Sequence, residues 1–296
     1  MPAQTQVASD IVGLLKTALV SRRSFMSASA AAAAGYTLAA GPVCAEAIKT
    51  STDGLSAGEA KVKVADGEMP VYFARPANVS NPPVILVAME IFGLHEYIKD
   101  VTRRLAKLGV FAIAPDYYFR KGDLTKITEI AQLMPLVNAK PDDELFADLN
   151  ATVDWSKSQG GNTDRLGIVG FCRGGRTVWE YCATNDRVKA GVAFYGSLID
   201  PEAQKVVWPK SPIELAPQLK APVLGLYGET DQGIPVSQVE AMKTALEAAG
   251  KTARFKIYPN ASHGFHADYR PSYSEEAAHD AWQQMIAWFR KYKVLD

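Results

Sequence analysis

Leu166-Gly167-Ile168-Val169-Gly170-Phe171-Cys172-Arg173-Gly174-Gly175-Arg176 reads as a short apolar strand that runs straight into a helix through a glycine-bracketed cysteine. The pattern is G-x-C-x-G. A nucleophile held on so tight a strand-to-helix turn needs small neighbours, because side chains at Gly170 and Gly174 would clash across it. The turn presents the thiol at the N-terminus of the following helix, where the dipole favours a thiolate. A thiol at its ordinary pKa is only a few per cent thiolate at neutral pH, so Cys172 also needs a base or cation beside it.

Outward from this turn the chain alternates in type. Residues 84–89 are a continuous apolar run of the kind that a strand buried on both faces requires. A helix is predicted over 97–108, ended by Gly109, then a strand over 110–115, a long polar stretch over 120–140 and a helix over 142–158 that returns to the strand 166–171. Beyond the cysteine follow a helix over 174–184, strands over 190–195 and 223–227, a helix over 236–250, a strand over 253–258 and a closing helix over 274–291. Upstream, 61–64 and 71–75 flank Asp66-Gly67, a hairpin signal that places an antiparallel pair at the sheet edge. Strands alternating with helices predict an α/β fold with a mostly parallel sheet and helices on both faces. Ligands in such open sheets bind at the carboxyl ends of the strands.

The bulk composition narrows the partners. The 296 residues, 48% hydrophobic and 22% charged, suffice for one large core over residues 61–296. Thirty-two basic and thirty-two acidic residues cancel, leaving no electrostatic footprint for nucleic acid or an anionic membrane. Three cysteines, Cys44, Cys172 and Cys182, are too few for a disulfide framework and lack the spacing of a zinc site. Ten helical residues separate Cys172 from Cys182 by about 15 Å, so both are expected as free thiols.

The first 45 residues read differently. Ser21-Arg22-Arg23-Ser24-Phe25-Met26 resembles a twin-arginine export signal, followed by an alanine-rich run over 25–40 and small residues over 44–47. The run is too short and weakly apolar for a membrane span. Residues 1–45 are therefore expected to be a signal recognised by the export machinery and removed near Ala45 or Ala47, with the mature protein periplasmic or secreted and without a stable membrane anchor. Residues 46–60, rich in Ser, Thr, Gly and Ala, read as a linker.

Five strand ends then supply chemistry at one edge of the sheet. They carry Glu90-Ile91-Phe92-Gly93, Asp116-Tyr117-Tyr118-Phe119-Arg120, Cys172, Gly228-Glu229-Thr230-Asp231 and Ser262-His263-Gly264-Phe265-His266. A thiol, a carboxylate and an imidazole thus follow in the order nucleophile, acid, histidine. His263 can serve as base or cation for Cys172. Asp231, or Glu229 two residues earlier, can accept from the other ring nitrogen and fix the tautomer. A tetrahedral oxyanion would be held by the backbone N–H groups of Arg173 and Ile91. The remaining histidines, His95, His266 and His279, read as surface or local hydrogen-bonding residues. Glu90 reads equally as a solvated loop acid and as part of the site.

At these residues the chain resembles the dienelactone hydrolase family, cysteine-nucleophile members of the α/β-hydrolases, from about Lys61 to the C-terminus. Met89-Glu90-Ile91-Phe92-Gly93 is similar to the family's E-I-F-G segment, Gly170-Phe171-Cys172-Arg173-Gly174-Gly175 to its G-[FY]-C-x-G-G elbow, and Ser262-His263-Gly264-Phe265 to its histidine loop. The resemblance implies the α/β-hydrolase fold, a Cys172, His263 and Asp231 triad, and Glu90 as the glutamate that contacts the resting thiol. It also implies cofactor-free hydrolysis of a small ester or lactone, of the carboxymethylenebutenolidase type, through an acyl-cysteine, with no metal. Arg120 matches the arginine that binds the substrate carboxylate. Two positions depart from the family: a second carboxylate-binding arginine is replaced by Ala267, for which Arg270 or Arg173 would have to substitute, and Arg173 stands where an apolar residue is usual. A non-catalytic small-molecule binding protein that retains the fold is the competing expectation.

Overall fold

The computed structural model describes residues 48–296; the segment expected as an export signal, its expected cleavage site and Cys44 lie outside the described residues. Eight strands form one sheet: β1 (Leu55–Val64), β2 (Gly67–Pro76), β3 (Pro83–Ala88), β4 (Phe111–Pro115), β5 (Asn162–Phe171), β6 (Val188–Phe194), β7 (Val223–Gly228) and β8 (Ala253–Tyr258). Their spatial order is β1-β2-β4-β3-β5-β6-β7-β8. The predicted edge hairpin is present, with β1 antiparallel to β2 and β2 antiparallel to β4, while every later pairing is parallel.

All six residues of β3 are buried, as are all five of β4 and all six of β7. Successive side chains of a strand point to opposite faces, so both faces of the sheet are covered. The cover comes from α1 (Glu96–Ala106), α3 (Asp142–Ser158), α4 (Arg173–Thr184), α5 (Val236–Ala248) and α6 (Glu275–Lys291). The polar stretch after β4 contains two short 3₁₀ turns and a helix, α2 (Ile130–Asn138). Leu133 and Val137 form the buried face of α2, one turn apart.

One boundary moves substantially. The segment expected as a linker up to residue 60 already belongs to β1 from Leu55, where Leu55–Ala60 pair with Val71–Pro76. The residues before it are also tied down. Thr50 donates both its backbone N–H and its hydroxyl to Asp100, a fully buried carboxylate on α1. A serine- and glycine-rich composition gave no hint of this, because the pairing uses backbone groups and one distant aspartate.

The topology places the site. From β3 the chain crosses through α1 to β4 on one side and later places β5 on the other, so the strand order reverses at the β3/β5 pair. Crevices in open α/β sheets form at such a reversal, outside the carboxyl ends of the strands. Ala88 of β3 lies in register with Gly170 of β5. Glu90 and Ile91 follow the first strand and Cys172 the second.

Backbone packing at this point is unusually close. A Cβ on Gly170 would lie 2.1 Å from the Gly174 carbonyl oxygen, and one on Gly174 would lie 2.0 Å from the Ala88 carbonyl oxygen. These partners are backbone atoms that cannot rotate aside. Gly174→Ala is therefore expected to destabilise the fold by roughly 3 kcal/mol or more. Urea unfolding of the variant checks this, and a midpoint equal to that of the parent protein would show that the elbow tolerates a side chain there.

Candidate active site

Cys172 sits at φ +56° and ψ −117°, a conformation that side-chain-bearing residues rarely adopt. Its N–H donates to the Phe194 carbonyl at 3.0 Å, and its own carbonyl accepts from Gly175 N at 2.9 Å and Arg176 N at 3.2 Å, which starts α4 directly beneath the thiol. The side chain is 1% exposed. Among the described residues, neither the Ile91 nor the Arg173 amide donates a backbone hydrogen bond. One follows β3 and the other opens α4, so both belong to the crevice where Cys172 lies.

His263 comes from the loop after β8. Its Nδ1 is 2.8 Å from Asp231 Oδ2. The other oxygen of Asp231 accepts from the Gly233 and Ile234 amides at 2.9 and 3.1 Å, so the carboxylate is fixed before it meets the ring. Glu229, the competing acid, instead accepts from the Asn260 amide and is exposed. Burial opposes charge on the imidazole, but the Asp231 carboxylate and Cys172, both hydrogen-bonded to the ring, outweigh it and push the His263 pKa up to about 10. The Tyr195 ring packs edge-on against it at 5.1 Å. Cys172, His263 and Asp231 are thus brought together from three strand ends.

Glu90 is fully buried in the same crevice, but its hydrogen bonds run elsewhere than to the thiol. Oε1 accepts from Arg270 Nη2 at 2.8 Å, Oε2 accepts from the Tyr269 hydroxyl at 2.7 Å, and His95 Nε2 lies 3.2 Å from Oε2. Burial raises its pKa, but Arg270, His95 and Tyr269 together prevail and hold it at about 2. Arg270 in turn donates through Nε to the Tyr269 hydroxyl at 2.8 Å and stacks over Phe92 at 4.9 Å. Glu90 is an ionised acid locked to an arginine, so the expected contact with the resting thiol is absent from this arrangement among the described residues.

Arg120 is also placed differently from the expectation. Its Nε and Nη2 bind Asp66, Nη1 and Nη2 bind Asp148, and Nη1 reaches Glu144 at 3.0 Å. A guanidinium has five N–H donors, and these carboxylates occupy them, leaving none for a substrate carboxylate. The physical reason is the β1–β2 turn, whose Asp66 meets the 3₁₀ turn that carries Arg120. The Arg173 side chain donates to Thr177 Oγ1 at 3.0 Å and to Asp142 Oδ1 at 3.1 Å. Ala267, at the position of the missing arginine, is fully buried.

The histidines sort unequally. His279 is exposed, as the sequence suggested. His266 is 3% exposed, with Nδ1 2.7 Å from the Tyr97 hydroxyl, and burial together with Arg104 lowers its pKa to about 3. His95, Tyr269 and Arg270 converge on Glu90 from two loops, a grouping that no spacing in the sequence marks. Among the described residues no group of three or more His, Cys, Asp or Glu is arranged to hold a metal ion, and no helix is long and apolar enough to cross a membrane.

The chain has relatives among known proteins. The model of the dienelactone hydrolase family matches residues 69–293. A protein of Methylorubrum extorquens named "Putative carboxymethylenebutenolidase" is 50% identical over 289 residues, covering 97% of this chain and 98% of its own. One of the same name from Escherichia coli K12 is 44% identical over 260 residues, covering 87% of this chain and 95% of its own. A crystal structure titled as a "Putative Dienelactone Hydrolase" from Klebsiella pneumoniae superposes with a TM-score of 0.78 at 47% identity, over 80% of this chain and 99% of that one.

Within the crevice, Glu90 and His263 are shifted in opposite directions and set opposite limbs of a pH profile. Glu90 is depressed, so its contribution to stability is present above the ordinary 4.5 and is lost as pH falls through about 2. His263 is raised, so its contribution is present below the ordinary 6.5 and is lost as pH rises through about 10. Glu90→Gln leaves Arg270 buried and unpaired and is expected to cost about 3–5 kcal/mol at neutral pH. In urea titrations the gap to the parent should close towards pH 2, whereas for His263→Gln it should close above pH 10. A gap independent of pH would contradict the assignment.

Proposed function

This chain belongs to the dienelactone hydrolase family, a hydrolase family, and on that footing we propose that it cleaves a small ester or lactone through an acyl-cysteine on Cys172, with His263 and Asp231 completing the triad. The observation that carries the reading is the thiol on a strained elbow, hydrogen-bonded to an imidazole whose far side is held by a buried aspartate.

Each step follows from the groups in place. With the His263 pKa near 10, the ring is an imidazolium at neutral pH, and a neighbouring cation favours the thiolate. The Cys172 sulfur attacks the substrate carbonyl carbon, forming the S–C bond while the carbonyl π pair moves onto oxygen. The Ile91 and Arg173 amides donate to that oxyanion, a contact that forms fully only in the tetrahedral state. Collapse breaks the C–O bond to the leaving oxygen, which takes the proton from His263. In a lactone the leaving hydroxyl stays tethered to the acyl chain, so deacylation releases a single hydroxy acid. The neutral imidazole, its tautomer fixed by Asp231, then removes a proton from water as the water attacks the thioester. The second tetrahedral state expels the thiolate, which regains its imidazolium partner, and releases the carboxylic acid, whose proton passes to solvent. Glu90, ionised and paired with Arg270, keeps its charge away from the thiolate in the resting site.

The substrate is a single small molecule, and no step of this sequence requires a cofactor. We also propose that residues 1–45 direct export by the twin-arginine route, on the strength of Arg22-Arg23 and the alanine-rich run behind them.

Cys172→Ala should abolish turnover of activated esters and lactones, and Asp231→Asn should lower kcat roughly 10³- to 10⁴-fold. Iodoacetamide should label Cys172 much faster than Cys182, whose thiol burial pushes well above its ordinary pKa. Undiminished turnover in Cys172→Ala would sink the nucleophile, and equally slow labelling of both cysteines would favour a binding protein. Replacing Arg22 and Arg23 together by lysine should retain the chain in the cytoplasm. Unchanged recovery from the periplasm would remove the export route.

A further inference from the structure

Trp208 lies between β6 and β7 and carries no group that could act on an ester, yet it is 6% exposed and both arginines of the elbow helix stack on it. Arg173 Cζ is 4.4 Å and Arg176 Cζ 4.5 Å from the indole centroid. The indole N–H donates to the Lys140 carbonyl at 2.9 Å, which anchors the ring to the segment before α3. Asp142, two residues further on, accepts from Arg173 at 3.1 Å and from Arg176 at 2.9 Å. Asp200 accepts from Arg176 at 2.9 Å and itself donates its N–H to Ser211 Oγ at 2.9 Å. Three chain segments therefore close on two guanidiniums, with the indole as the flat surface that both share.

Arg173 is also the residue whose amide is assigned to the oxyanion. The direction of that amide is set by the peptide joining it to Cys172, and Cys172 is held at φ +56° and ψ −117°. Such a backbone conformation persists only where its surroundings over-determine it. The carbonyl of that peptide is held on one side by the Gly175 and Arg176 amides, and the Arg173 side chain supplies a second restraint. The Arg173 side chain is long, flat at its end and clamped between Trp208, Thr177 and Asp142, so rotation of the 172–173 peptide would pull the guanidinium off the indole.

We propose that Trp208 is a positioning residue of the oxyanion site: by clamping Arg173 it fixes the peptide that aims the Arg173 amide at the developing negative charge. This rests on the acyl-cysteine reading above. Neither Trp208 nor the Arg173 side chain touches the reacting atoms. The effect is carried through the backbone and falls on the transition state rather than on substrate capture.

Two reagents separate this role from mere support of the fold. A trifluoromethyl ketone accepts the Cys172 sulfur at its carbonyl carbon and leaves an oxyanion in the site, whereas iodoacetamide loses iodide in a direct displacement and forms no oxyanion. Trp208→Leu should lower kcat about tenfold and weaken the ketone by the same factor, with KM and the alkylation rate within about twofold of the parent. Trp208→Phe keeps an aromatic face for both arginines and should recover most of the loss. Asp142→Asn releases Arg173 from the other side and should show the same division, which tests the idea even if Trp208→Leu does not fold. Turnover unchanged in these variants overturns the proposal, as does a parallel fall in alkylation and turnover. Slow alkylation of Cys172 in the parent protein would overturn the acyl-cysteine reading as well, so the two failures are distinguishable.

Discussion

Everything at the crevice depends on the approach of backbone to backbone around Cys172. The carbonyl ends of β3 and β6 and the first turn of α4 come together at distances that only hydrogen can fill, at Gly170, Gly174 and Gly175. The hydrophobic runs of β3, β5 and β6 bring these segments into register, and their burial provides the driving force. The glycines permit the last step. A left-handed conformation at a cysteine is uphill by about 1–3 kcal/mol, and that cost is met by the surrounding sheet rather than locally.

Around this hinge the charges are buried but balanced. Glu90 meets Arg270, Asp231 meets His263, and Arg173 and Arg176 share Asp142, Glu180 and Asp200. Desolvating an ion costs several kcal/mol unless partners satisfy it, so each pair gains more in geometry than in net stability. Arg120 and Lys140 form another such group with Asp66, Glu144 and Asp148, further from the chemistry. Glu180, squeezed among the same arginines and acids, has its pKa raised by burial against the pull of Arg176. The site is therefore stiff in its polar parts as well as its apolar ones.

Much of this was legible in the residues. The apolar runs locate the parallel strands, Gly170 and Gly174 locate the elbow, and the strand-end rule points to His263 and to the loop that carries both Glu229 and Asp231, between which spacing does not choose. The start of β1 was not legible, because Leu55–Ala60 pair through backbone groups that any composition supplies. The partners of Glu90 were not legible either. His95, Tyr269 and Arg270 meet it only after two loops fold over the strand ends, and hydrogen bonds across 179 residues leave no local period. Arg120 illustrates the converse. Its motif was read for chemistry, while the carboxylates that claim it come from a hairpin turn and a helix that the motif does not mention.

The N-terminal arm ties the far edge of the molecule to the histidine loop. Thr50 binds Asp100, Asp100 also binds Arg103 and Arg104, and Arg104 reaches across to Asp268, five residues beyond His263. Thr50 is therefore linked through Asp100 and Arg104 to the loop that carries His263. A tag, a fusion partner or an immobilising linker joined close to residue 48 would pull on that relay. The C-terminal end is tethered as well, through Arg165 of β5 to Lys293 and Asp296, so both ends of the described chain are fastened to elements that carry the site.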